Sequence, residues 1–173
     1  AETEDERRAA YRLRYQVFTA ELGDDRYADH DSKECKDSDD VEGSILFVAV
    51  ESGEVVGSFR LKPLRNKEFI GLEAYGIPDL AQHLKIPLEL FRQTLAAVDR
   101  LVLSKKQRGQ SLFKGPYVFV ESFATESRVE TLVAAAESKR AIALYTKSVG
   151  YKVYPFIGTH NGATCQCIYK MIK

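Results

Sequence analysis

Val98-Asp99-Arg100-Leu101-Val102-Leu103 is an apolar run, and Ser104-Lys105-Lys106-Gln107-Arg108-Gly109-Gln110-Ser111 follows it as a basic loop. They open the stretch from Val98 to Tyr154, whose reading decides the fold. The run reads as a buried strand. The segment after the loop has helical spacing and carries Phe113, Phe119 and Phe123, which are read as ordinary core side chains. Thr131 to Ala136 is a second apolar run and reads as another strand. A short helix with Tyr145 and a closing Gly150-Tyr151-Lys152-Val153-Tyr154 complete the stretch. A strand, a basic loop with glycine and a helix N-terminus make an anion site. Backbone N–H groups and the helix dipole point into it, and phosphate is the usual guest.

This order of elements resembles the core of the GNAT superfamily of N-acetyltransferases. In that family the loop pattern is Arg/Gln-x-x-Gly-x-Gly/Ala, and here it stands as Arg108-Gly109-Gln110-Ser111-Leu112-Phe113, with Ser111 and Phe113 at positions usually held by small residues. Ala141-Ile142-Ala143-Leu144-Tyr145, with Gly150-Tyr151 behind it, is similar to the Ala-x-x-Leu-Tyr segment and Gly-aromatic ending of the family. The resemblance implies an α/β (α+β) fold: a mixed, mostly antiparallel central sheet flanked by helices, with splayed central strands. It also implies a donor site for an acyl thioester. The pantetheine arm would lie along Leu101, Val102 and Leu103, and the phosphates on Arg108, Gly109, Gln110, Ser111, Leu112 and Phe113. In many members the tyrosine matched by Tyr145 protonates the departing thiolate.

Upstream, residues 3–22 read as an amphipathic helix, with Ala10, Leu13, Val17, Phe18 and Leu22 at helical spacing and Gly23 as its stop. Asp24 to Asp40 is polar and reads as a long loop. Ser44 to Glu51, Glu51-Ser52-Gly53-Glu54 and Val55 to Leu61 read as a strand, a turn and a returning strand. Pro63, Pro78 and Pro87 divide residues 62–95, within which Asp79 to Leu84 and Leu88 to Thr94 read as short helices; Ala163 to Ile172 reads as a last strand.

Within this upstream part, Arg14-x-x-x-Phe18, Asp37-x-x-Asp40, Arg60 and Arg100 resemble the motifs of the N-acyl amino acid synthases and the acyl-homoserine lactone synthases. Those enzymes also have Glu-x-x-Arg on the central strand. Here Ala97 stands at the glutamate position and Asp99 is the nearest carboxylate. The lactone branch carries a tryptophan after the first helix, and this chain has none. By resemblance, Arg14, Phe18, Asp37, Asp40, Arg60 and Arg100 are substrate-binding candidates: arginine forks match a carboxylate, and the Asp pair either receives an amine or orders the loop. Asp99 is the candidate base. It neighbours Arg100 along a strand, so the two are expected on opposite faces.

With 173 residues, 45% hydrophobic and 29% charged, the chain is expected to form one domain over residues 1–173. Residues 1–40 hold 13 acidic and 7 basic side chains; the remainder holds 12 and 18. The excess positive charge around Lys105, Lys106, Arg108 and Lys114 suits a phosphate-bearing donor or an acidic carrier protein. No nucleic-acid motif and no membrane span are read. Three cysteines make no even framework, Cys165-x-Cys167 reads as core, no metal site is expected, and a cytoplasmic setting fits. His30, His83 and His160 lack ligand spacing. The function expected is transfer of an acyl group from acyl-CoA or an acyl-carrier protein to an amine, with amino acids among the acceptors. Two alternatives stay open: a non-catalytic acyl- or CoA-binding module, and a lactone synthase using S-adenosylmethionine.

Overall fold

Thr3 starts the first helix. Its hydroxyl accepts from Glu6 N, and the Glu6 carboxylate accepts from Thr3 N, a reciprocal cap that fixes α1 (Glu4–Arg14). The computed structural model describes residues 1–40, 43–65, 75–108, 114–160 and 163–172. The expected helix over 3–22 is continuous but changes character after Arg14: Tyr15–Glu21 is a π-helical turn, in which Leu22 N donates to Val17 O. Such wide turns re-aim the side chains that follow them. The expected loop Asp24–Asp40 contains a small antiparallel pair, β1 (Ala28–Asp29) and β2 (Glu34–Cys35). The Asp29 carboxylate accepts from Asp31 N and Ser32 N and Lys33 takes φ 55°, a turn chemistry that the polar composition hides.

β3 (Ile45–Glu51) pairs antiparallel with β4 (Glu54–Pro63), Ile45 facing Leu61 and Glu51 facing Glu54. Ser52 and Gly53 join them, both at positive φ, as a two-residue hairpin turn demands. The remaining strands are β5 (Leu95–Leu103), β6 (Thr131–Ala136), β7 (Lys152–His160) and β8 (Ala163–Met171), and the six-stranded sheet has the order β3-β4-β5-β6-β8-β7. β5 and β6 are parallel; β6 and β8, and β7 and β8, are antiparallel. The sheet is mixed and mostly antiparallel with helices beside it, as expected. β5 pairs with β6 over three residues only, Leu95↔Thr131, Ala96↔Leu132 and Ala97↔Val133, although β5 continues to Leu103 and β6 to Ala136. The parallel ladder therefore stops at Ala97.

The chain divides into two compact units, Ala1–Leu61 with Asp99–Leu112, and Lys62–Val98 with Phe113–Lys173. In the first, Leu13, Val17 and Val102 form a small apolar core, with Phe18 and Val55 packed on it. Gly57 is closely overlaid: a Cβ there would meet Leu103 Cδ2 at 2.9 Å.

In the second unit, α2 (Ile77–Leu84) and α3 (Leu88–Gln93) lie near the two short helices expected. Leu80, Phe91, Leu95, Val133 and Cys167 anchor its core. α4 (Lys114–Glu126) buries Val120 and Ala124 completely, four residues apart on one stripe. Phe119, one position earlier, is turned away and 63% exposed, so it is not the core residue expected; Phe123 is half-buried and Phe113 lies outside the described residues. α5 (Lys139–Val149) starts at Ser138, whose hydroxyl accepts from Ala141 N. Lys170 of β8 donates to Val149 O at 2.7 Å and also to Glu121, tying α4 and α5 to the sheet. Cys165 and Cys167 are buried, as read. Near Pro155 the pairing of β7 with β8 slips between Val153 and Ile157, and the Gln166 side-chain amide donates to the Phe156 carbonyl at 3.0 Å and to that of Tyr154. Among the described residues, no helix is long and apolar enough to cross a membrane.

Gly76 enters α2 at φ 53°, and a Cβ there would fall 2.5 Å from two ring atoms of Phe156. Gly76→Ala is expected to destabilise the chain by about 2–4 kcal/mol, adding left-handed strain to overpacking. Urea unfolding measures it; a loss below about 0.5 kcal/mol would mean the ring swings away freely.

Candidate active site

The first unit gathers seven charged side chains in one buried cluster. Arg14 comes from the last turn of α1, Asp37, Asp39 and Asp40 from the turn after β2, Arg60 from β4, and Asp99 and Arg100 from β5. The turn closes on itself: Asp37 N donates to Asp40 Oδ2 at 3.1 Å, Asp39 N to Asp37 Oδ1 at 2.9 Å, and Asp40 N to Asp37 O at 3.0 Å. This folds three carboxylates inward, toward the arginines.

Arg60 is the hub. Nε and Nη2 donate to the two Asp99 oxygens, both at 2.9 Å, and Nη1 to Asp37 Oδ1 at 2.5 Å. Nη1 also lies 3.0 Å from Asp40 Oδ1. Arg100 donates to Asp37 Oδ2 from Nε at 3.0 Å and from Nη2 at 2.6 Å. Arg14 donates to both Asp40 oxygens from Nη1, at 2.8 and 2.9 Å. Arg14 and Arg60 are 0% and 1% exposed. Taking such ions out of water is costly, and only dense mutual pairing offsets it. Burial alone would raise the pKa of Asp37, but Arg60 and Arg100 outweigh it and hold the carboxyl well below the usual range. Burial likewise opposes the charge on Arg60 and Arg100, and the facing carboxylates reverse that and raise both. Nε and Nη2 of Arg14 have no hydrogen-bond partner; its guanidinium carbon lies 5.5 Å from the Tyr11 ring centroid.

Two expectations are corrected here. Asp99 and Arg100 do not face opposite ways. Arg100 has φ 53°, a left-handed residue inside a strand, so the alternation breaks and both side chains reach the Asp37–Arg60 cluster. A non-glycine residue in that region costs on the order of 1–3 kcal/mol, which the bonds to Asp37 offset. The Arg100 guanidinium also stacks on Tyr27, 4.2 Å from its ring centroid, with Phe18 at 5.9 Å. Second, Arg14, Arg60 and Arg100 are not three open forks awaiting a carboxylate: each is held by an aspartate of the chain itself.

Ala97 is fully buried in the second unit's core, so no carboxylate stands at the position that Glu-x-x-Arg would give it. Tyr145 belongs to the same unit, 7% exposed and edge-on to Tyr151 at 5.2 Å. Along the end of β5, Val102 is buried and Leu101 and Leu103 half-buried. Lys105 and Lys106 are exposed in a 3₁₀ turn, and Ser104 N donates to Val56 O at 2.8 Å. Arg108 donates from Nε to Leu103 O at 3.0 Å and from Nη1 and Nη2 to Glu21 at 2.5 and 3.1 Å. Gly109, Gln110, Ser111, Leu112 and Phe113 lie outside the described residues.

Sequence reading missed Glu21 and Tyr27. Glu21 was visible in principle: Arg14, Phe18 and Glu21 follow i, i+4, i+7. Tyr27 is an aromatic in a polar stretch, and nothing local marks Arg100 as its partner.

A family model described as acetyltransferase (GNAT) domain matches residues 13–117, which hold every member of the charged cluster and all of β5. The chain belongs to this GNAT acetyltransferase family. Its members are acyl-transferring enzymes, and the fold fits. The CoA-dependent acyl-homoserine lactone synthase BjaI, solved with S-adenosylmethionine and isopentyl-CoA, superposes with a TM-score of 0.74 at 19% identity, covering 98% of this chain and 77% of that one. FeeM, an N-acyl amino acid synthase from uncultured soil microbes, gives 0.71 at 13% identity, over 98% and 92%. A GNAT-family acetyltransferase from Staphylococcus aureus gives 0.65 at 12%, over 99% and 96%. These likenesses show the family fold. No curated protein matches the sequence.

Proposed function

We propose that the protein transfers an acyl group from a phosphopantetheine thioester, on CoA or on an acyl-carrier protein, to the amine of a small acceptor such as an amino acid. The observation that carries this reading is the three-residue ladder between β5 and β6. Beyond Ala97, β5 has backbone groups that β6 leaves unpaired. An amide-rich pantetheine arm satisfies such groups along Leu101, Val102 and Leu103. The basic residues after β5, Lys105, Lys106 and Arg108, face the donor's phosphates. Val102 and its neighbours supply apolar contact.

The charged cluster serves the acceptor side. It holds the chain around Phe18, Tyr27 and Arg100 in one geometry, so that the acceptor meets a rigid wall. Asp37 and Asp40 act in it by fixing the loop and the arginines. Asp99 accepts from Arg60 on both oxygens; its part is to lock Arg60, and the amine loses its proton to solvent. Tyr145 is assigned the proton that the departing thiolate takes up.

The test follows free thiol. The protein is incubated with acyl-CoA or acyl-carrier protein of several chain lengths and a panel of amino acids. Thiol release that depends on one amine class is expected. Release with no donor–amine pair, or only with S-adenosylmethionine present, overturns the proposal.

A further inference from the structure

Arg108, the first residue of the donor-phosphate loop, already holds an anion. Its two terminal nitrogens reach the two oxygens of Glu21 at 2.5 and 3.1 Å, fork against fork, and Nε donates to Leu103 O. Every nitrogen of the guanidinium is thus engaged by the chain. A carboxylate in this bidentate seat occupies the place that a phosphate oxygen pair takes on an arginine. The pair is partly open to water, 31% exposed on Arg108 and 26% on Glu21, so a soluble anion can compete for it. Glu21 arrives there through the π-helical turn Tyr15–Glu21, the element that also carries Phe18 beneath Arg100.

We propose that Glu21 is a specificity-determining residue for the donor: a built-in phosphate surrogate that must be displaced before CoA phosphate engages Arg108. This rests on the thioester-donor reading above. Two consequences follow from the competition. Donors that need Arg108 are weakened by Glu21, whereas donors that end at pantetheine do not feel it. Arg108, while paired with Glu21, keeps its Nε bond to Leu103 O and so holds the end of the donor strand in place.

The sign of the effect separates a competitor from a mere support. Glu21→Gln keeps the size of the side chain and a hydrogen-bond acceptor but removes the charge. The expected result is CoA binding that tightens about 3–10-fold, through loss of a competing anion at a partly exposed pair. Binding is measured by calorimetry with CoA and pantetheine as separate probes, and pantetheine binding is expected to stay unchanged. Arg108→Ala weakens CoA, and the double variant binds as Arg108→Ala does, because Glu21 acts only through Arg108. Glu21→Asp, too short to span the same gap, falls on the tighter side as well. If Glu21→Gln binds CoA equally or more weakly, or if pantetheine shifts in parallel, Glu21 is a support and the inference fails while the donor reading stands. A wild-type protein that binds neither probe overturns the donor reading together with this inference.

Discussion

Asp37→Asn is expected to destabilise the protein by about 3–5 kcal/mol, the usual cost of breaking a buried ion pair from one side. The size follows from what Asp37 does. It accepts from Arg60 on both oxygens and from Arg100 twice, and it also anchors Asp39 N and leaves its own N on Asp40. An amide has one acceptor oxygen and no charge, so Arg100 loses its main counterion and Arg60 one of the carboxylates paired with it. Asp25→Asn is the control, since Asp25 is 62% exposed and its contact with His30 is long at 4.0 Å; it should move stability by no more than about 0.5 kcal/mol. Acid gives a second reading of the same pair. The folded-state pKa of Asp37 is depressed, so its contribution is fully present above the unfolded-chain value of about 3.9 and is lost as pH falls below it. Wild type should therefore weaken steeply below about pH 4, with a smaller slope in Asp37→Asn. Equal slopes, or a urea-unfolding difference under about 1 kcal/mol, would show that the cluster is hydrated.

Tyr145→Phe is expected to lower kcat by about 10²-fold or more, the range for a general acid, with KM for the thioester nearly unchanged. The ring stays, with its edge contact to Tyr151, so the change removes an O–H and little packing. A simple loss of folding is excluded by unfolding curves within about 1–2 kcal/mol of wild type. The informative variable is the leaving thiol. An aryl thiolate of low basicity departs without a proton, so the loss should shrink toward unity with an aryl thioester donor. A loss that stays the same for alkyl and aryl thioesters would assign Tyr145 to packing.

Much of this fold was legible because its signals are local. Thr131 to Ala136 reads as a strand from an unbroken apolar run, and those are its bounds. The Ser52-Gly53 turn is likewise written in adjacent residues. The site was legible as a list and illegible as a geometry. Arg14, Asp37, Asp40, Arg60 and Arg100 could be named from the resemblance of their short motifs to those of the acyl-amino-acid and lactone synthases. That they neutralise one another depends on bonds between residues 23 to 63 positions apart, which no window along the chain contains. The single left-handed residue Arg100 escaped for another reason: arginine has no propensity for positive φ, so only the surrounding ion pairs explain it. The π-helical turn is similar, since Tyr15–Glu21 has the composition of an ordinary helix.

The slipped register around Pro155 has a consequence for how the protein behaves in company. β7 is the outermost strand at its end of the sheet, and an outermost strand is a template on which a foreign strand can grow. Val153 and Ile157, 49% and 65% exposed, would make that edge adhesive. Yet Pro155 brings no donor, and the slipped pairing beside it breaks the regular course of the strand. A proline at a bulge is one of the ways an outermost strand is made a poorer template for a foreign one.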